Sequence, residues 1–146
     1  MSIFDMDSTL SCAGLVGYAR PQPNDRQLWN DPAERHRLHQ WRTLQDELLR
    51  WRVLDSVAFE RGRQPSFEVI DGAIDFAIDC IDAGVQPPTA VAPSADGGVS
   101  FEWRKGSQVS HVEILQRGRI EVLHLEGDRV LGSQVMVRSP TSRGRG

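Results

Sequence analysis

The sequence lacks any run of about 18 apolar residues, and it has only two cysteines, Cys12 and Cys80, in 146 residues. Without such a run, no transmembrane helix is expected. The two cysteines lie far apart and fit no metal-binding spacing. Cys80 falls on the apolar side of a predicted helix, which favours a buried thiol over a reactive one. Two unpaired cysteines and the lack of a signal peptide predict a cytoplasmic protein.

Lysine is also scarce, and acidic residues outnumber basic ones. The net charge is -3, and the 17 basic residues are 16 arginines and one lysine, Lys105. A protein that binds nucleic acid through charge needs a basic stripe or a basic domain. The composition therefore argues against nucleic acid as the main partner. The length is that of one ordinary domain.

The first helix is predicted to begin after residue 31. Asp31 is a good N-cap, Pro32 suits the first helical position, and Glu34 completes a capping box. Apolar residues then recur every three or four positions, which is typical of an amphipathic helix. These residues are Leu38, Trp41, Leu44, Leu48 and Trp51. We expect the helix to continue to about Phe59 and to end at Gly62.

A second helix is predicted from the N-cap Ser66 to the terminator Gly84. Its apolar residues cover more than half of the circumference, which predicts a largely buried helix. The remaining arc is almost purely acidic. It consists of Glu68, Asp71, Asp75, Asp79 and Asp82.

From residue 99 onward the hydrophobic period changes to two, which predicts strands. Four alternating segments, within 97–106, 108–115, 119–125 and 129–137, are separated by short loops that contain glycine. Loops this short require antiparallel neighbours. We therefore predict an α+β domain over 31–138, with two helices packed on one face of a four-stranded antiparallel meander. Residues 1–30 are expected to form a flexible arm, and residues 139–146 a disordered tail.

The stretch "FDMDSTL" resembles the active-site motif of the aspartyl phosphatases of the haloacid dehalogenase class at Asp5, Asp7 and Thr9. The resemblance implies that Asp5 is a nucleophile, that Asp7 is an acid/base, and that Mg²⁺ lies beside them. Only four residues precede Asp5, too few for the buried strand that such a site needs. The rest of the chain shows no βαβ alternation. We therefore predict no catalytic residues, and keep the phosphatase as an alternative.

The acidic arc of the second helix is the main candidate site. Neighbouring carboxylates one turn apart repel each other by a few tenths of a kcal/mol per pair. The arc could be a solvated face, a contact for a basic partner, or a metal site. Aspartates on one helix rarely complete a coordination sphere, so no metal and no cofactor is predicted.

Two further sets of residues leave alternatives open. Trp103 and Arg104 lie side by side and could form a stacking platform for single-stranded nucleic acid, as part of a nucleic-acid-associated regulator. His36 and His39 could face together on the first helix, while His111 and His124 could pair across the sheet. No third ligand or nucleophile accompanies either histidine pair.

The segment "PPTAVAPSADGGVSFEWRKG" (87–106) resembles small bacterial proteins in which a Pro-Pro lead-in, "DGG" and "EW-R-x-G" precede a short meander. Some of those proteins come from toxin–antitoxin-like or defence-like gene pairs. The resemblance implies a fold and no activity. We therefore predict a non-catalytic protein-binding module whose partner is encoded by an adjacent gene. The expected contacts are the acidic arc, Trp103 and Arg104, the sheet edge and the N-terminal arm.

Overall fold

The structure is a computed structural model that describes residues 31–53 and 64–138. In these residues two helices precede a five-stranded sheet. The elements are α1 (Pro32–Trp51), α2 (Phe67–Asp82), β1 (Ala90–Pro93), β2 (Val99–Lys105), β3 (Gln108–Ile114), β4 (Arg119–Glu126) and β5 (Arg129–Val137). The strands lie in sequence order, and each pairs antiparallel with the next. The predicted α+β class and meander are confirmed.

The predicted number of four strands is wrong, because β1 adds a fifth. This strand is only four residues long, and its residues alternate between exposed and half-buried. It pairs along β2, with Val91 opposite Phe101 and Pro93 opposite Val99. Its composition, Ala-Val-Ala-Pro, shows no alternation of apolar and polar residues. The open edge of β2, and not a local pattern, makes this segment a strand.

The helix ends follow the predicted caps at three of the four positions. The side chains of Asp31 and Ser66 accept hydrogen bonds from the backbone N–H groups of Ala33 and Val69. Gly84, with a φ of 78°, ends α2. Its N–H donates to the Ile81 carbonyl, and the next N–H donates to the Cys80 carbonyl. This pair of bonds is a Schellman motif.

The predicted extension of α1 to Phe59 is wrong. The helix ends at Trp51, and the Arg52 N–H turns back to the Leu49 carbonyl at 3.1 Å. The Val53 N–H turns back in the same way to the Arg50 carbonyl, so the last turn of the helix is tightened. Residues 54–63 lie outside the described part of the chain.

The two helices form an antiparallel pair because polar contacts join them at both ends. At one end, the Arg37 guanidinium donates to the Val85 carbonyl at 2.7 Å and to the Ile81 carbonyl at 3.2 Å. The Trp41 indole N–H donates to the same Val85 carbonyl at 2.8 Å. Arg37 also pairs with Glu34 at 2.7 Å, and both side chains are almost fully buried. These contacts place the start of α1 against the end of α2.

At the other end, the Arg52 guanidinium lies 4.9 Å above the centre of the Phe67 ring. Its Nε atom is 3.6 Å from Asp71 Oδ1. A cation over an aromatic face and an exposed ion pair each contribute a modest stabilisation. Together they place the end of α1 beside the start of α2.

The helix pair covers one face of the sheet. Phe76 of α2 packs against Phe101 and Trp103 of β2, with ring centroids 5.1 and 6.3 Å apart. Tilted and edge-on ring contacts at such distances are favourable beyond the burial of area. The inward residues of the sheet are the buried ones. They are Val99, Phe101, Trp103, Val112, Ile114, Ile120, Val122 and Met136.

The expectation of a free thiol at Cys80 is wrong. Its side chain is fully buried, as predicted, but it is disulfide-bonded. The only other cysteine of the sequence, Cys12, lies outside the described residues. Disulfides persist mainly in oxidising compartments. The argument from unpaired cysteines therefore no longer supports a cytoplasmic location, which stays a prediction.

Other predictions fall on residues that the structure does not describe. These are the N-terminal arm over 1–30 and the tail over 139–146. Within 31–53 and 64–138, neither helix has the length and apolar composition needed to cross a membrane.

Removing the Arg37 side-chain charge tests the contact that joins the two helices. Arg37→Met leaves the Glu34 carboxylate buried without this cation and takes a donor from two carbonyl groups. Because breaking a buried ion pair is costly, we expect the free energy of unfolding to fall by about 3–5 kcal/mol. Urea denaturation followed by circular dichroism measures it. Arg35→Met, an exposed position on the same helix, is the control and should change stability by less than about 0.5 kcal/mol.

The disulfide at Cys80 predicts a labelling pattern. In the denatured, unreduced chain, an alkylating reagent should leave Cys80 unlabelled. After reduction with dithiothreitol it should be labelled, because thiolates and not disulfides react. Peptide mass spectrometry of protein from the native host reads both states. Full labelling before reduction would contradict the disulfide and restore the argument for a reducing compartment.

Candidate interaction surface

Four of the five carboxylates of α2 lie at the surface, and we call them the acidic flank. Asp71 has a side chain that is 56% exposed, Glu68 and Asp82 are exposed, and Asp75 is half-buried. The helix contains no lysine, arginine or histidine. Its opposite side is packed into the core through Val69, Ile70, Ala73, Phe76, Ala77 and Cys80. The acidic flank is therefore presented by a helix that the core holds in a fixed orientation.

The start of the flank is also tied to neighbouring elements. Glu68 Oε1 accepts a hydrogen bond from the Arg117 N–H at 3.1 Å. Arg117 adopts a φ of 61° in the short 3-10 turn over Gln116–Gly118. This turn connects β3 with β4, so the contact joins α2 to the sheet. Asp71 makes the exposed contact with Arg52 described above.

Asp79, the fifth acidic residue, is not part of the exposed flank. It is 3% exposed, and its Oδ2 atom lies 2.5 Å from Nη2 of Arg138, just after β5. The Arg138 side chain is itself only 16% exposed. Asp79 therefore belongs to a buried ion pair that joins α2 to the end of the sheet. The helical spacing could not show this, because Arg138 is distant in sequence.

Gly118 fixes the backbone that carries Arg138. Its carbonyl accepts a hydrogen bond from the Arg138 N–H at 2.8 Å. A Cβ atom at this position would lie only 2.2 Å from the Arg138 carbonyl oxygen. The residue also has a φ of 70°, which glycine adopts without strain. Only glycine lets the two segments approach closely enough to bring Arg138 to Asp79.

The predicted pairing of Trp103 with Arg104 as one surface does not occur. Trp103 is 2% exposed, and its indole N–H donates to the Gln86 carbonyl at 2.8 Å. Arg104 is the next residue along the strand, so it points to the opposite face. There it is exposed and pairs with Glu102 at 3.2 Å. Trp103 is a core residue and offers no stacking platform for nucleic acid.

The possible pairing of His111 with His124 does not occur either. In the sheet register, His111 lies opposite Leu123, whereas His124 lies opposite Ser110. The two histidines thus face opposite sides of the sheet. His124 Nδ1 is 3.0 Å from the Ser110 hydroxyl. His36 and His39 are both exposed on α1.

No group of three or more metal-binding side chains occurs within the described ranges 31–53 and 64–138. Asp5, Asp7 and Thr9, which resemble the phosphatase motif, lie outside those ranges. A depression of about 760 Å³ opens at one end of the sheet. Its lining mixes both charges and comprises Asp96, Leu115, Gln116, Arg117, Arg119, Glu121 and Val137. Arg119 and Glu121 pair with each other there at 2.6 Å.

The last strand is a second prominent surface. Four of its aliphatic side chains, Val130, Leu131, Val135 and Val137, are between 50% and 67% exposed. Among the described residues, β5 has a paired neighbour on one side alone, which is β4. It is therefore an edge strand with an apolar surface.

Comparisons with known protein families, with curated proteins and with solved structures found no match to this chain. The resemblance of residues 87–106 to small bacterial proteins stays a prediction, and so do the functional assignments drawn from it.

The ion pair between Asp79 and Arg138 predicts different effects for two aspartates of one helix. Asp79→Asn leaves the largely buried Arg138 without its counter-charge. We expect the free energy of unfolding to fall by about 3 kcal/mol, near the lower end for a broken buried pair. Asp71→Asn, at the exposed flank, should change it by less than about 0.5 kcal/mol. Urea denaturation of both variants measures the difference, and equal effects would contradict the assignment.

Proposed function

We propose that this chain is a non-catalytic protein-interaction module and one member of a bacterial gene pair, either antitoxin-like or an accessory subunit. Its acidic flank binds a basic surface of the protein encoded by the adjacent gene. The single observation that carries the proposal is the placement of Glu68, Asp71, Asp75 and Asp82 on one side of a helix without basic residues.

Electrostatics supports a basic partner. Residues one turn apart on a helix are neighbours, so Asp71 and Asp75 repel each other. A partner that brings lysine or arginine to this side would be attracted by all four carboxylates of the flank. Charge complementarity of this kind also steers association and excludes partners of the wrong sign.

The fixed position of α2 also supports the proposal. The side opposite the flank is buried, and both ends of the helix are held by contacts with other elements. A preformed surface loses little conformational freedom on binding, which favours affinity. The flank is therefore ready to bind without rearrangement of the helix.

The residues expected to contact the partner are fewer than the sequence predicts. Asp79 and Trp103 are buried, so they support the surface and do not form it. Arg104 is exposed on the face of the sheet that points away from the helices. The proposed contact is therefore the acidic flank alone, with Arg52 at its margin.

Charge reversal on the flank tests the proposal. The tagged chain is co-expressed with the product of the adjacent gene and purified. The double substitution Asp71→Lys with Asp75→Lys should abolish co-purification, because it turns attraction into repulsion. The complex of the unchanged chain should weaken steeply as salt increases.

The matched control carries the same change of charge elsewhere. Asp96 and Asp128 are exposed loop residues, and their replacement by lysine should leave co-purification intact. Circular dichroism verifies that both double variants are folded. Loss of the partner by both variants, or by neither, would show that the flank is not the binding surface.

A further inference from the structure

The strand β5 has the properties of an interface and not of a protected edge. Between Arg129 and Arg138 it reads Val-Leu-Gly-Ser-Gln-Val-Met-Val, with no charged residue and no proline. Soluble monomers usually protect a free edge with charges, proline, bulges or a short strand. The register shift near Leu125 affects only the first part of β5. The regular part, Gly132–Val137, has none of these protections.

The opposite edge of the same sheet shows the contrast. The strand β1 is only four residues long and ends in Pro93. Pro87 and Pro88 stand just before it. Shortness and proline both hinder the addition of another strand. One edge of this sheet is thus closed to pairing, while the other is long and has no paired neighbour among the described residues.

The charges at the two ends of β5 are already compensated within the chain. Arg129 lies 3.6 Å from Glu126, and Arg138 lies 2.5 Å from Asp79. The edge therefore presents no uncompensated charge to a partner. A charged partner strand would gain nothing here, whereas a neutral apolar strand fits.

The apolar surface continues from β5 across the outer face of the sheet. Val109, Leu125 and Val130 lie opposite one another on three successive strands. Leu123, two residues before Leu125, points to the same face. Val130, Val135 and Val137 remain more than half exposed, and none of the described residues 31–53 and 64–138 covers them.

We propose that the occupant is a second copy of this chain, whose β5 pairs antiparallel with the first about a twofold axis at Val135. A twofold interface is isologous, which means that the same surface of each copy contacts the other, so this surface must be complementary to itself. A neutral strand with alternating apolar residues satisfies that condition. The twofold axis runs perpendicular to the sheet, so outward residues of one copy meet outward residues of the other.

The result is a ten-stranded sheet with both helix pairs on the same side. The open N–H and C=O groups of each edge are then paired by main-chain hydrogen bonds. Ser133, Val135 and Val137 of the two copies form one continuous outward row across the axis. The acidic flanks lie outside this interface, so the dimer is compatible with the different protein proposed as a partner above.

Sedimentation equilibrium of the full-length chain tests the proposal from about 1 µM to about 500 µM. The unchanged protein should shift from monomer to dimer with increasing concentration. Val135→Lys and Val135→Glu should each raise the dissociation constant of the dimer at least tenfold, because like charges meet near the axis. Ala92→Lys, an exposed position on the protected edge β1, is the matched control and should dimerise like the unchanged chain.

Mixing the two Val135 variants identifies the twofold pairing. Lysine of one copy then lies beside glutamate of the other, so the mixture should recover the dimer that neither variant forms alone. A monomer at all concentrations, a dimer unaffected by Val135→Lys, or a mixture without recovery would overturn the proposal. Circular dichroism checks that each variant is folded. The flank variant Asp71→Lys with Asp75→Lys should still dimerise, which separates this test from that of the heterologous partner.

Discussion

The fold depends on how the carbonyl end of α2 is held. Arg37 and the Trp41 indole both donate to the Val85 carbonyl, and Arg37 also reaches the Ile81 carbonyl. The last carbonyl groups of a helix carry a partial negative charge, which a guanidinium stabilises. Because Arg37 is buried, it also needs an anion, and Glu34 on the same helix supplies one. This group of contacts fixes the antiparallel pairing of the helices, and the pair then covers the sheet. The indole of Trp103 donates to the next carbonyl, that of Gln86, and so joins the sheet to the same point.

The two surfaces proposed for binding arise from this arrangement. Fixing α2 on the sheet buries one side of the helix and leaves the acidic flank on the other. The buried pair between Asp79 and Arg138 then brings the chain after β5 toward the helix layer. As a result the arginine at the end of the edge strand points inward and does not protect the edge. A single ion pair therefore removes one acid from the flank and one gatekeeping charge from β5. The charges left on both surfaces therefore depend on this buried contact.

Much of the fold could be predicted from local patterns. The caps Asp31 and Ser66, the terminator Gly84 and the four alternating strands follow from short-range chemistry that a sequence shows directly. The failures have physical reasons. The strand β1 exists because β2 has an open edge, the last turn of α1 is closed by backbone bonds from Arg52 and Val53, and Cys80 has a disulfide partner. The candidate site was harder to predict from the sequence, because the exposure of each side chain depends on how the elements pack. Helical spacing placed Asp79 with the exposed acids, while strand alternation placed Trp103 beside Phe101 and Val99 without showing that this face is fully covered.

The sequence by itself determined the α+β class, the order of the two helices and of four of the five strands, and the acidic character of α2. Those features depend on periodicity, capping and charge, which act over a few residues. Only the tertiary structure decided which of the five acids is buried, which tryptophans belong to the core, and which sheet edge is left open. Each of those outcomes depends on a partner far away in the chain: Arg138 for Asp79, Gln86 for Trp103, and the absence of a further strand beside β5 among the described residues. Such contacts join segments that are far apart in the chain, so no local pattern encodes them.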